Sequence, residues 1–313
     1  GFSMISDGER QYVRDGVAQG VRLDGRPRGA FRQLSVDADL LPLSHGSARV
    51  TLGDGTDVMA SVKAEVVPLE AGMAAAQRDL LTVHVEASPS YFLATTAAAE
   101  AYASDDAAAA HTAAVRSVLQ AVFGESGLGD AAQLEIVPGK FAWAVYVDVL
   151  LLRHCGNVLD AAAAAAHVAL RAARLPATVP VLGEREEIDD FDIMPRPEDA
   201  KPLPFVSDEA ALPLCVSLAR IGEHFVADPT DEEERCADAK LVVAISADGK
   251  LRGLHKLGGD AVALGMLPDC VAAARAAATS LFPCLDQVVK SSAEDAGADD
   301  AASRPNAGFQ FGS

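Results

Sequence analysis

Asp148, His154, Cys155 and Asp160 fall within one short stretch, DVLLLRHCGNVLDAAAAAA (148–166). Its pattern is an apolar strand, a Gly-containing turn and an Ala-rich helix. Such a turn offers an anion, phosphate above all, free backbone N–H groups and the positive end of a helix dipole. Here the turn holds only Gly156, the helix start has no cation, and Asp160 stands where an anion would sit. Three readings are open: a phosphate site, a disabled phosphate site, or only a turn. In the last, Asn157 caps the helix, Asp160 complements the dipole near the third helical position, and Cys155 packs as a small residue. Asp148 is either the survivor of an acidic pair or a hydrogen-bonded structural acid on a buried strand. His154-Cys155 is the only adjacent pair of ligand types, and on an extended segment the two point to opposite faces. No metal and no cofactor is expected.

The elements that position this stretch follow from periodicity and punctuation. Ser6 is placed to cap a helix carrying Tyr12, Val13, Val17 and Val21 on one face. RLDGRPRG (22–29) then breaks it. Alternating stretches at Phe31–Leu40, Ala48–Leu52 and Val58–Val67, with turns at SHGS (44–47) and GDGT (53–56), predict an antiparallel meander. DLLTVHVEA (79–87) is a further strand. Ser104, followed by Asp105 and Asp106, starts a helix that runs to Phe123 and stops at Gly124. Leu134–Val137 and Ala142–Leu152 read as strands, the second central and buried, with Trp143 in the core. The Ala-rich helix, from about Val158 to Ala173, has side chains small enough to lie close against a sheet. EREEIDDFDIMPRPEDAKPLP (184–204) reads as a connection. Strands at Leu212–Ala219, His224–Asp228, Leu241–Ala247 and Leu251–Leu257 follow, then a long helix from about Asp260 to Lys290. The pattern predicts an α+β architecture of two related halves, 5–190 and 205–290. The Ala/Asp-rich segment from Ser291 onward predicts a disordered acidic tail over 291–313.

The chain has 313 residues, half of them hydrophobic, and a formal charge of −19. That is ample material for one large or two modest domains. Runs such as Val145–Leu152 are too short to span a bilayer, so no membrane association is expected. GFSM (1–4) lacks a signal-sequence pattern, and a soluble intracellular protein is expected. Five scattered cysteines without a CxxC fit a reducing compartment. The acidity argues against a free-standing nucleic-acid binder without excluding a local basic patch.

Four stretches carry a resemblance: RLDGRPRGAFRQL (22–34), GSARVTLGDGTDVMASVKAEVV (46–67), VPGKFAWAVYVDVLLLRHCGNVLDA (137–161), and ADPTDEEE (227–234) with LRGLHKLGG (251–259). In this order and spacing they resemble the RNase PH family of phosphate-dependent 3′-to-5′ exoribonucleases and their relatives in the exosome ring. The match covers roughly residues 8–290. The last pair of stretches is most similar to the exosome component 8, or ribosomal RNA-processing protein 43, type. The resemblance implies the RNase PH fold, its first half like ribosomal protein S5 domain 2 and its second like RNase PH domain 2.

Active members read Asp-Gly-Gly-Thr/Ser-Arg at the turn, where the Asp helps activate phosphate or bind a metal and the Arg holds the phosphate. Aligned through Gly156, the Asp position is Cys155, the Thr/Ser position Val158 and the Arg position Leu159. The resemblance therefore implies a disabled phosphate site and a non-catalytic subunit of the exosome core ring. Its partners would be paralogous ring subunits, the ribosomal RNA-processing protein 46 type favoured, together with cap subunits and RNA threading the assembled pore. Its location would be nucleus, nucleolus and cytoplasm. Arg116, Lys140 and Arg153 are the candidate RNA contacts, each alternatively a solvated or salt-bridged side chain. Arg22, Arg26 and Arg49 either anchor turns or touch RNA, and DPTDEEE (228–234) is either a solvated loop or a contact with a basic neighbour. Two other functions compete: an active phosphorolytic ribonuclease using Asp148 and displaced cations, and an autonomous RNA-element-binding protein.

Overall fold

The structure, a computed structural model, describes residues 6–53, 55–69, 79–92, 104–124, 131–182, 188–194, 199–204 and 212–302. Helix α1 (Asp7–Ala18) starts at a capping box: the Ser6 hydroxyl accepts the Glu9 N–H while the Glu9 carboxylate takes the Ser6 N–H. The expected apolar face is only half used, since Val13 and Val17 are buried whereas Tyr12 and Val21 are exposed.

The expected meander is present as β1 (Leu34–Ala38), β2 (Gly46–Leu52) and β3 (Thr56–Pro68). Strand β4 (Leu81–Ala87) is followed by α2 (Asp105–Phe123), β5 (Glu135–Val137) and β6 (Phe141–Arg153). Ser104 caps α2 as expected, its side chain accepting the Ala107 N–H. The sheet order is β1-β2-β3-β6-β4, with β5 also on β6 and only β4 parallel to its neighbour, through the α2 crossover. Register puts Ala60, Val62 and Ala64 opposite Val149, Val147 and Val145 on one buried face. β6 is central, but its burial is one-sided. Tyr146, Asp148 and Leu150 lie on the other face with Arg49, Lys63, His84 and Glu86, largely open to solvent.

The start of the outer edge of β4 is closed by a side chain. Gln120 of α2 donates to the Leu81 carbonyl at 2.8 Å and accepts the Val83 N–H at 2.7 Å, as a neighbouring strand would.

Helix α3 (Val158–Ala172) packs against β2, β3 and β6 of this sheet and against β11 (Pro213–Ile221) of the next, and all 15 of its residues are buried. Such all-round burial is what its run of alanines, Ala161–Ala166, permits: a helix of mostly small side chains fits between two sheets. After β7 (Arg174–Leu175), β8 (Thr178–Leu182) and β9 (Ile188–Ile193) pair as a hairpin, and β10 (Lys201–Pro202) pairs with β7. The segment read as a bare connection thus contains strands; 183–187, 195–198 and 205–211 lie outside the described residues.

The second sheet has the order β12-β11-β13-β14, with β12 (His224–Ala227), β13 (Ala239–Ser246) and β14 (Leu251–Leu257) all antiparallel. Between β12 and β13 lies α4 (Asp231–Cys236), a helix where a loop was expected, started by a Thr230–Glu233 capping box. Helix α5 (Leu267–Ala302) covers β11 and β13 and touches α3 and β1. It passes Lys290, the expected end, and replaces the disordered tail with helix as far as Ala302. Alanine favours helix with or without burial, and Ser292 donates to Asp39; the remainder of that tail, 303–313, lies outside the described residues. No helix among the described residues is long and apolar enough to cross a membrane.

Candidate functional site

The turn between β6 and α3 is held by groups from three other segments, and its backbone N–H groups are spoken for. The Cys155 N–H donates to the Thr56 hydroxyl at 3.2 Å and the Gly156 N–H to His154 Nδ1 at 3.2 Å, while the Asn157 N–H faces the Glu234 carboxylate. The carbonyls are engaged too. Arg32 donates to Cys155 O at 2.8 Å and Gly156 O at 3.0 Å, and the Thr56 hydroxyl donates to Gly156 O at 2.6 Å.

Gly156 serves close packing rather than an anion. Its φ is +83°, and a Cβ there would lie 2.5 Å from the Asp231 nitrogen and 2.6 Å from the Pro229 carbonyl oxygen. The 229–231 loop therefore covers the turn at a distance only glycine permits.

The carboxylates take the place of a bound anion. Burial would raise the Glu234 pKa, but Lys240, His154 and the Asn157 amide outweigh it and hold Glu234 below the usual carboxylate range. Lys240 Nζ lies 2.5 Å from it. Asp160, 4% exposed, accepts the Ser217 N–H at 2.8 Å, the Ser217 hydroxyl at 2.7 Å and Asn157 Nδ2 at 2.9 Å. Burial nevertheless pushes its pKa up to about 6. The expected cap is corrected here: Asn157 sits at the N-cap in a left-handed conformation (φ +54°) and makes no capping hydrogen bond with its side chain. That side chain instead bridges Asp160 to Asp228 at 2.8 Å.

Asp228 is the hub of a charge clasp between the two halves. It is fully buried and accepts from Arg26 Nη1 (2.8 Å), from Arg32 at N, Nε and Nη2, and from Asn157. Burial would raise its pKa, but Arg32 and Asn157 hold it low. Arg22, 3% exposed, makes a two-pronged pair with Glu233 at 2.5 and 2.8 Å and donates to Ala227 O and Asp228 O. Of the alternatives for DPTDEEE, the solvated loop is excluded: its basic neighbour is RLDGRPRGAFR of the same chain. Arg49 pairs across strands with Asp57 at 2.6 Å.

His154 and His111 flank the turn with Tyr91, whose hydroxyl lies 2.6 Å from His111 Nε2. Burial lowers both histidines, His111 to about 4. The Cys155 side chain is half-buried and packs against Gly55, and burial raises its thiol pKa. No group of three His, Cys, Asp or Glu side chains among the described residues is arranged to hold a metal.

The sequence-derived site residues do not converge. Cys155 lies in the turn, but Leu159 points into the core at 2% exposure, where burial contributes about 1.5–3 kcal/mol. Asp148 is on the open face, 3.6 Å from Lys63, seven residues before Cys155 along the same chain direction. At about 3.3 Å per residue that is roughly 20 Å from the turn. Arg116 of α2 lines a cavity with His84, Glu86, Thr112 and Asp148, again away from the turn. Lys140 precedes β6, at the opposite end of the strand from the turn. Arg153 is at the turn, donating to Gly55 O at 2.7 Å. Missed by sequence reasoning were Arg32, Glu234, Lys240, His111 and the role of Asp228.

Comparison with known proteins matches the chain to two family descriptions: "3′ exoribonuclease family, domain 1" over residues 30–176 and "3′ exoribonuclease family, domain 2" over residues 211–277. It is 31% identical to the exosome complex component Rrp42 of Sulfurisphaera tokodaii over 88% of this chain and 92% of that protein. It is 30% identical to the Rrp42 component of Methanocella arvoryzae over 82% and 86%. Among solved structures, one described as an archaeal exosome core superposes with a TM-score of 0.66 at 24% identity, over 90% of this chain and 97% of that one. That likeness bears on the fold, and it is the RNase PH fold expected from the motifs. With both family domains matched in order on the two sheets described above, the chain belongs to the 3′ exoribonuclease, or RNase PH, family.

Proposed function

We propose that the protein is a non-catalytic subunit of an exosome-type ring, supporting 3′-to-5′ RNA processing and degradation carried out by a nuclease sited elsewhere. The observation that carries this is the occupied turn. An incoming phosphate finds the Cys155 and Gly156 N–H groups already donating and meets Glu234 and Asp160, while the Arg32 guanidinium beside the turn is held by Asp228 and the turn carbonyls. Two like charges 4 Å apart repel by about 4 kcal/mol at an effective dielectric of 20. Positioning and charge stabilisation carry most of phosphoryl-transfer catalysis, and here both are gone. The alternative of a phosphorolytic enzyme built on Asp148 is disfavoured by its distance from the turn.

The relatives reported above carry the Rrp42 name, so the Rrp42 lineage replaces the exosome component 8 type as our reading. Partners are paralogous ring subunits, the ribosomal RNA-processing protein 46 type being the first to test, with cap subunits and RNA at the assembled pore. Arg153 and Arg116 remain proposed RNA contacts; Lys140, at the far end of β6, would need a different part of the RNA path. The test has two arms. Purified chain incubated with RNA, with and without inorganic phosphate, should release no nucleoside diphosphates above a mock preparation. Mixed with a paralogous ring subunit at micromolar concentration, it should form a heteromer by light scattering. Phosphate-dependent release, or a stable RNA-binding ring of this chain alone, would overturn the proposal.

A further inference from the structure

Helix α1 leaves an apolar surface unpaired. Val13 and Val17 close a small core with Ala219, Ile221, Val226 and Cys236, while Tyr12, Val21 and Leu23 remain 70%, 60% and 50% exposed. These three are contiguous. One cavity of about 360 Å³ beside Tyr12 is lined by Val13, Leu23 and Cys236; a second, of about 510 Å³, is lined by Tyr12, Val17, Val21 and Leu23. An exposed aromatic between a mainly apolar hollow and a second, mixed polar and apolar one is the anatomy of a protein-binding hot spot.

The rim selects the partner by charge. Glu9, Glu232 and Arg235 border the first cavity, Asp15 and Arg22 the second, and none of the three carboxylates has an ion pair among the described residues. The nearby cations are committed: Arg14 to Asp238, Arg22 to Glu233 and Arg235 to Asp231. On α1 only Arg10 lies outside such a pair among the described residues. An acidic rim repels RNA and favours a cationic polypeptide.

We propose that this surface docks a segment of a partner protein carrying an aromatic or leucine anchor flanked by lysine or arginine. The anchor fills the hollows beside Tyr12, and its cations meet Glu9, Asp15 and Glu232. No residue of the 155–157 turn takes part, so the docking stands or falls independently of the ring reading.

Random peptides displayed on phage, panned against the full-length chain and then titrated as synthetic peptides by fluorescence anisotropy, test it. The enriched sequences should pair an apolar anchor with flanking Lys or Arg and weaken as salt is raised. Affinity should fall about tenfold or more in Tyr12→Ser and in Leu23→Asp, and clearly in Glu232→Lys, all at exposed positions, with thermal unfolding unchanged. The proposal is overturned if no sequence is enriched, if the enriched sequences lack basic residues, or if binding is the same in all three variants. Displacement of the peptides by single-stranded oligoadenylate would likewise overturn it, in favour of an RNA site.

Discussion

Replacing Asp160 by asparagine separates two effects that the structure superimposes at one side chain. The first is hydrogen bonding. Oδ2 accepts from Ser217 N and Asn157 Nδ2, and Oδ1 accepts from the Ser217 hydroxyl. An asparagine can keep all three contacts, its carbonyl in the Oδ2 place and its NH2 donating to Ser217 Oγ. The second effect is the proton. Burial raises the Asp160 pKa from 3.8 to about 6, against the hydrogen bonds from Ser217 and Asn157. The folded state therefore holds a proton that the unfolded chain has released. The stability this gives is present below about pH 4 and is lost as pH rises through 6. At 1.36 kcal/mol per unit the full difference is about 3 kcal/mol, of which about 1.4 kcal/mol falls between pH 5 and pH 7.5. Buried His167 and His111, each lowered to about 4 by burial, act in the opposite sense, their stability being lost as pH falls. Subtracting variant from wild type at each pH removes their contribution. Urea unfolding followed by fluorescence of Trp143, the single tryptophan, gives both curves. We expect Asp160→Asn to gain about 1.4 kcal/mol relative to wild type on going from pH 5 to pH 7.5. A flat difference, or one of opposite slope, would refute the assignment of a buried, proton-holding acid between the two sheets.

Gly156→Ala should cost about 3 kcal/mol or more, since the added Cβ meets the 229–231 loop at a positive φ; the urea midpoint reports it. Arg22→Ala, which strands the buried Glu233 carboxylate, should cost about 3–5 kcal/mol. Arg22→Met with Glu233→Met should recover much of that loss in the same denaturation assay. Leu159→Arg should yield no phosphate-dependent release of nucleoside diphosphates, because groups that act as a unit are not restored singly. It should also lower the thermal midpoint, because it places a guanidinium in the core.

Local pattern carried much of this architecture. Alternation over β2 and β3, the Ser104 cap of α2 and the alanines of α3 are signals spanning only a few residues, and each element lies within about two residues of expectation. The departure of the turn from the motif of active members was legible as well, in Cys155 and Leu159. The clasp was not. Arg32 and Asp228 are 196 residues apart in sequence, and no periodicity links RLDGRPRGAFR to DPTDEEE except their opposite charge. One local signal there went unused: the Thr230–Glu233 spacing marks a capping box and hence α4. Lys140 and Arg153 show the converse. They lie in one motif, but an extended strand of 13 residues sets its ends far apart.

Gln120 gives the first sheet a direction. A side-chain carboxamide has the donor and acceptor of a peptide group, so α2 writes one extra rung onto β4 without supplying a strand that could itself be extended. The hydrogen-bond ladder has a last rung where Leu81 and Val83 are already answered. Self-templating by strand addition, the route by which exposed edges seed open-ended fibres, meets an obstacle at that point of the edge, two bonds from one residue. In the ring proposed above such a terminator would leave contacts to side-chain surfaces, whose shape and charge tell one paralogue from another, and not to backbone, which is the same in all of them.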